Sequence, residues 1–88
     1  MKCEIHPDLD KILKKLAKWD KVQYEALLKK IEEVTYSVKL EHYKNLKAPL
    51  NNYKRVHVYS SFVLLFKVEK EVIVFRYYDH HDRIYNLD

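Results

Sequence analysis

The apolar residues of this chain change period partway along, and that switch sets the fold class. Leu9, Ile12, Leu13 and Leu16 recur at helical spacing, with Lys11, Lys14, Lys15 and Lys18 on the opposite side. Tyr24, Leu27, Leu28, Ile31, Val34 and Val38 trace a second stripe of the same period. Later the pattern alternates. Val56 and Val58 interleave with Arg55, His57 and Tyr59, residues 62–68 are almost continuously apolar, and residues 72–78 are rich in β-branched and aromatic side chains. Helices followed by strands predict an α+β domain.

The breaks between these segments set the order of elements. Pro7 suits the first position of a helix, because it lacks the N–H that a helix start leaves unpaired. Trp19-Asp20 interrupts the first stripe, and Asp20 with Gln23 three residues on reads as a capping box, so two helices form an N-terminal hairpin. Residues 2–5 read as a short strand able to pair at a sheet edge. Residues 40–52 have weaker periodicity, with one helical turn expected around 42–46 and a turn signal in Ala48-Pro49-Leu50-Asn51-Asn52. Ser60-Ser61 and Glu69-Lys70-Glu71 are short connections, so the later strands most simply form a small antiparallel sheet with the hairpin on one face. The middle strand, apolar on both sides, is expected to be central.

With 88 residues, 48% of them hydrophobic, the chain can close one modest core, which predicts a single domain over 1–88. It has no glycine and two prolines, which excludes a flexible linker, and no apolar run approaches the roughly 20 residues needed to cross a bilayer. No secretory h-region follows the N-terminus, and the lone Cys3 permits no internal disulfide, so a cytoplasmic protein is expected. The net charge is +4, but between positions 39 and 55 Lys39, Lys44, Lys47, Lys54 and Arg55 face only Glu41. Such a stretch can draw a phosphate backbone or an acidic partner, and it can equally be an ordinary solubilising surface.

The candidate chemistry lies at the end of the sheet. Strand alternation puts Arg55, His57 and Tyr59 on one face, and in the last strand it sets Arg76 and Tyr78 opposite a core side of Ile73, Phe75 and Tyr77. Cationic and aromatic groups side by side suit RNA, since arginine neutralises phosphate and tyrosine stacks on a base. The same pattern also fits the polar side of a half-covered sheet. Directly after the strand come Asp79, His80, His81, Asp82, Arg83 and Tyr85. His57 and His81 can act as an acid/base pair across an RNA phosphate, with Arg55, Arg76 or Arg83 balancing charge and the ribose 2′-hydroxyl attacking. No metal or other cofactor is required by that chemistry. The His/Asp spacing matches neither a zinc finger nor a helical His-x-x-x-His pair, so Asp79 and Asp82 read as strand-end residues, caps or partners orienting His81.

The order of helical hairpin, turn, apolar meander and short histidine-containing tail resembles the RelE/ParE toxin superfamily, in particular its YafQ-like group of toxin-antitoxin ribonucleases. The resemblance covers essentially the whole chain and rests most firmly on His57-Val58-Tyr59-Ser60-Ser61-Phe62-Val63-Leu64-Leu65-Phe66-Lys67-Val68 and Asp79-His80-His81-Asp82-Arg83-Ile84-Tyr85. It implies an mRNA endonuclease acting in the ribosomal A site and held inactive by a cognate antitoxin. By the same resemblance His57 falls on a histidine of the first long strand, His81 on the C-terminal catalytic histidine, a general acid, and Tyr85 on the terminal aromatic that places the nucleotide. Ser61 and Arg55 stand where those toxins carry acids, Lys47 where they carry a histidine, and Val63 where arginine-based relatives carry an arginine. Lys47 can contact phosphate as a charge but cannot shuttle a proton as a neutral base. The histidine pattern favours ribonuclease activity over gyrase inhibition. Lys47, Lys54, Tyr59, Arg76 and Arg83 are the expected phosphate and RNA contacts, ribosomal RNA included. A non-catalytic RNA- or protein-binding module of the same fold is the alternative.

Overall fold

The computed structural model describes residues 2–37, 40, 43–46, 52–59 and 61–85, and of Tyr85 the backbone alone. Elements run β1 (Lys2–Ile5), α1 (Pro7–Trp19), α2 (Lys21–Thr35), β2 (Lys54–Val58), β3 (Phe62–Glu69), β4 (Val72–His80) and α3 (His81–Tyr85). Among the described residues, no helix is long and apolar enough to cross a membrane.

The helical hairpin forms as the spacing predicts. Pro7 opens α1, and His6 caps it by accepting the Asp8 N–H at Nδ1 over 3.1 Å. Asp20 serves both helices. Its N–H donates to Leu16 O at 2.8 Å to close α1, and its Oδ1 accepts the Gln23 N–H at 3.1 Å to start α2. One residue therefore makes the turn. Val38, expected to extend the second stripe, lies outside the described residues.

The strands stand in the order β1-β4-β3-β2. The β2–β3–β4 meander is antiparallel as expected, but β1 joins the edge of β4 in parallel, so the sheet is mixed. The connection from β1 to β4 passes through both helices and two strands, ample for a parallel pairing, which needs a long crossover. Of the helical turn expected around 42–46, His42 lies outside the described residues; Tyr43 N donates to Leu40 O, and Asn45 is extended and bridges Lys54. That bridge covers part of the outer edge of β2.

Buried side chains lie on both faces of the sheet. Against the helices, Leu9, Leu13, Leu27, Ile31 and Val34 pack on Val58, Leu64, Phe66, Ile73, Phe75 and Tyr78. On the opposite face Leu46, Tyr53, Val63, Leu65 and Ile84 make a smaller cluster, flanked by Tyr77. The second face is thus partly closed by α3 and the segment before β2. Four consecutive β3 residues, Val63, Leu64, Leu65 and Phe66, are buried, which is why that strand reads as continuously apolar.

With no glycine available, tight turns fall on residues that pay for left-handed backbone. Lys70 and Glu71, between the paired Glu69 and Val72, have φ of 48° and 66°, the signature of a two-residue type I′ hairpin. For an L-residue that conformation costs about 1–2 kcal/mol, and glycine's extra chain entropy offsets roughly 0.5–1 kcal/mol of any relief. Glu71→Gly is therefore expected to stabilise the fold by up to about 1 kcal/mol, or some 4–8 °C in melting temperature. Thermal unfolding followed by circular dichroism checks this, and a lower melting temperature would contradict it.

Candidate active site

A β-bulge decides which side chains of β4 face which way. Leu65 pairs with Tyr77 but Phe66 pairs with Phe75, leaving Arg76 as the extra residue. Ile73 and Phe75 face the helices as alternation predicts. Beyond the bulge the parity reverses, so Tyr78 enters the main core in place of Tyr77. The expected pairing of Arg76 with Tyr78 on one face is thereby overturned. Tyr78 instead stacks on Phe62 at 5.3 Å, and burial pushes its phenol well above the ordinary range, with Tyr59 and Asp20 adding to the shift. It stays protonated and is no general base.

Arg76 is gathered into a polar and aromatic surface opposite the helices. Its Nη1 donates to the Tyr53 hydroxyl at 3.1 Å, its guanidinium lies 4.8 Å from the Tyr77 ring centroid, and its Nε lies 3.8 Å from Asp8 Oδ2. The bond to Tyr53 raises the Arg76 pKa, burial opposing it, so the cation is secure. Lys67 sits over the other side of this group, its Nζ 5.4 Å from the Tyr53 ring centroid and 2.8 Å from Glu69 Oε1. The Glu69 contact likewise raises the Lys67 pKa. Of these residues the sequence reads Tyr77 as core-facing and Tyr53 as core edge, where its ring is buried, and it gives Lys67 no role. The available signal was parity, because Tyr53 precedes Arg55 and His57 at the same two-residue interval.

Arg55 and His57 do share this face, since Val56 and Val58 turn toward the helices. Tyr59 does not join them. It has left the strand, with φ of 57° in the turn after β2, because the chain must reverse there without a glycine. Lys54 is committed to structure, its Nζ donating to Tyr43 O at 3.3 Å and Asn45 Oδ1 at 3.1 Å. Arg83 is exposed and reaches Asp79 Oδ1 at 3.4 Å. Lys47 and the side chain of Tyr85 lie outside the described residues, although position 85 falls one helical turn after 81.

The two candidate histidines flank the same turn. His57 pairs with Val63, and Val63 pairs in turn with Asp79, so His57 and Asp79 are separated by two strand spacings, about 10 Å. His81 follows where β4 gives way to α3, its N–H donating to Ser61 O at 2.8 Å. The His81 Nδ1 lies 2.9 Å from Asp82 Oδ1, so the carboxylate orients the ring and leaves Nε2 as the nitrogen free of that contact. Asp82 thus has the orienting role expected of it. Asp79 instead accepts the His80 N–H at 2.7 Å and meets Arg83. His80 caps α3, its Nδ1 accepting the Asp82 N–H at 3.2 Å, as His6 does for α1.

Beside this surface a cleft of about 330 Å³ opens along the end of β4 between α1 and α3. Asp8, Arg76, Asp79 and Arg83 all line it, so two cations and two carboxylates meet there. The arrangement provides oriented imidazole, secured guanidinium and a half-buried Tyr77 ring, a set suited to proton transfer beside a phosphodiester.

No protein-family model matches the sequence. The chain is 54% identical over 84 residues to a Methanocaldococcus jannaschii protein named "Putative toxin RelE4", covering 93% of this chain and 87% of that relative. Its fold is similar to a chain of the YoeB-YefM complex from Staphylococcus aureus, with a TM-score of 0.75 at 15% identity over 92% of this chain and 97% of that one. It is also similar to YafQ from E. coli strain BL21(DE3), with a TM-score of 0.67 at 16% identity over 94% and 96% of the two chains. At such identities the two structures speak for the fold alone. Identity of 54% over nearly the full length of both sequences goes further, and this chain belongs to the RelE toxin family.

Proposed function

We propose that the chain is the toxin of a toxin-antitoxin pair and an endoribonuclease that cleaves mRNA in the ribosomal A site. The observation that carries this reading is the His81–Asp82 pair at 2.9 Å, set at the end of the sheet face that holds His57, Arg55 and Arg76. An imidazole oriented by a carboxylate is a proton carrier awaiting a substrate, and the neighbouring cations and tyrosines suit a nucleotide.

In the proposed reaction His57 takes the proton of a ribose 2′-hydroxyl as its oxygen attacks the adjacent phosphorus. His81 gives a proton to the departing 5′-oxygen, so the products are a 2′,3′-cyclic phosphate and a 5′-hydroxyl end. Arg55 and Arg76 balance the charge that builds on the phosphoryl oxygens. Arg83, Lys47 and Lys54 add positive potential for mRNA and ribosomal RNA, while Tyr85 helps hold the nucleotide. The requirement for a 2′-hydroxyl confines the chemistry to RNA. A cognate antitoxin is the proposed protein partner, supported by the matched YoeB-YefM complex, and the cytoplasm is the proposed site of action.

The test is translation of a defined mRNA on purified ribosomes, with RNA ends mapped in the presence of the protein and of His81→Gln, alongside the same RNA without ribosomes. Cleavage near the A site by the unmodified protein, lost in the variant, is the expected result. Intact mRNA with retained ribosome binding in both samples would instead assign a non-catalytic module of the same fold.

A further inference from the structure

The cleft along the end of β4 does not stop at Arg83. It runs on into a second groove of about 310 Å³ between α1 and the ends of β3 and β4, and Ile12, Tyr78, Asp79 and Arg83 line both. At the far end stands Trp19, 74% exposed and the one tryptophan of the chain. We propose that this groove is a track for single-stranded RNA leading away from the histidines, with Trp19 as the platform on which a base stacks. That the strand continues into the active site rests on the ribonuclease reading given above, and that the groove binds RNA does not.

The lining and the length of the groove both fit such a strand. Leu16, Phe62 and Tyr78 give it apolar carbon, whereas Lys15, Gln23 and Arg83 give it hydrogen-bond donors. Tyr78 is 5% exposed, and its hydroxyl has no hydrogen-bond partner among the described residues. A buried donor left unpaired costs stability, and a ribose or phosphate oxygen held in the groove would supply its acceptor. From Asp8 in the first cleft to Trp19 at the end of the second, α1 rises about 16 Å, the length of roughly four stacked nucleotides.

Charge selects the occupant. Between positions 11 and 24 the chain carries five lysines and one acid, Asp20, whose carboxylate is taken by the Gln23 N–H. Lys15 shares the groove with Trp19 from one helical turn away, and Lys18 holds its Nζ 5.3 Å from the indole centroid. A base stacked on the indole therefore brings its phosphates close to two ammonium groups. Asp79 is the acid lining the groove, and Arg83 answers it at 3.4 Å. Stacking favours any base, so the track would hold RNA without reading its sequence. A protein covering Trp19 would have to bury Lys15 and Lys18 with it, and lysine is depleted from the cores of protein interfaces.

Because Trp19 is the only tryptophan, its fluorescence reports the contact directly. The full chain is titrated with a short single-stranded RNA made of 2′-O-methyl nucleotides, which offers no 2′-hydroxyl for cleavage, and affinity is followed in parallel by the anisotropy of the labelled strand. The expected result is quenching of the Trp19 emission, with binding weakened about 5- to 100-fold by Trp19→Ala and little by Trp19→Phe. Replacing Lys15 and Lys18 together by Gln should make the affinity less dependent on salt. Circular dichroism should show the same fold in each variant, since these side chains are exposed. RNA that fails to bind, or that binds without altering the emission and keeps full affinity for Trp19→Ala, would overturn the track. In cleavage assays Trp19→Ala should raise KM and leave kcat unchanged. Groove binding without cleavage by the unmodified protein would refute the ribonuclease reading and leave the track standing, whereas cleavage with the same KM in Trp19→Ala would do the reverse.

Discussion

Phe66→Ala is expected to strip the chain of a large share of its folding stability. Phe66 is fully buried in the central strand β3, meets Tyr43 edge-on at 5.4 Å and Phe75 at 5.7 Å, and pairs with Phe75 where the bulge begins. Truncating such a ring costs about 3–5 kcal/mol, the lost burial plus the cavity that remains. A domain of this size has roughly 4–13 kcal/mol of total stability, so one substitution removes a large share of it. The loss should exceed the area term alone, because the β4 register on one side and the helices on the other both rest on this ring. Denaturant unfolding followed by circular dichroism measures the change, and a loss below about 1.5 kcal/mol would mean that neighbouring side chains refill the space.

The second large effect belongs to the histidines. His81→Gln and His57→Gln are each expected to lower the single-turnover cleavage rate by about 10²–10⁴, the usual worth of a positioned acid or base. Their combined loss should be smaller than the product of the single losses, because a proton taken by one group and a proton given by the other serve one transition state. The melting temperature should barely change, since neither ring is buried in either apolar cluster. Asp82→Asn acts through His81, so it should give a smaller fall in rate with unchanged substrate binding. A His57→Gln variant as fast as the unmodified protein would remove His57 from the reaction and leave the 2′-hydroxyl to another base.

Several features of the site were legible in the sequence because they depend on neighbours in the chain. The shared face of Arg55 and His57 follows from alternation over three residues, and the double duty of Asp20 follows from its place between two stripes. The orienting role of Asp82 was open to inference because it adjoins His81. Tyr59 was misplaced for a reason that is also local: periodicity says nothing about where a strand stops, and a turn without glycine gives no signal. Tyr53 was missed because its partner Arg76 lies 23 residues away.

The sequence by itself determined the α+β class, the helical hairpin with Pro7 and Asp20 at its helix starts, the antiparallel meander and the central place of β3, since each follows from hydrophobic period and capping chemistry within a few residues. Only the tertiary structure decided the parallel docking of β1, the bulge at Arg76 that exchanges Tyr77 for Tyr78 in the core, and the folding of Ile84 onto Val63 and Leu65 that closes the second face and sets His81 beside Ser61. These depend on which distant surfaces meet, and a one-residue shift in a strand moves every later side chain to the other face without altering the local pattern that precedes it.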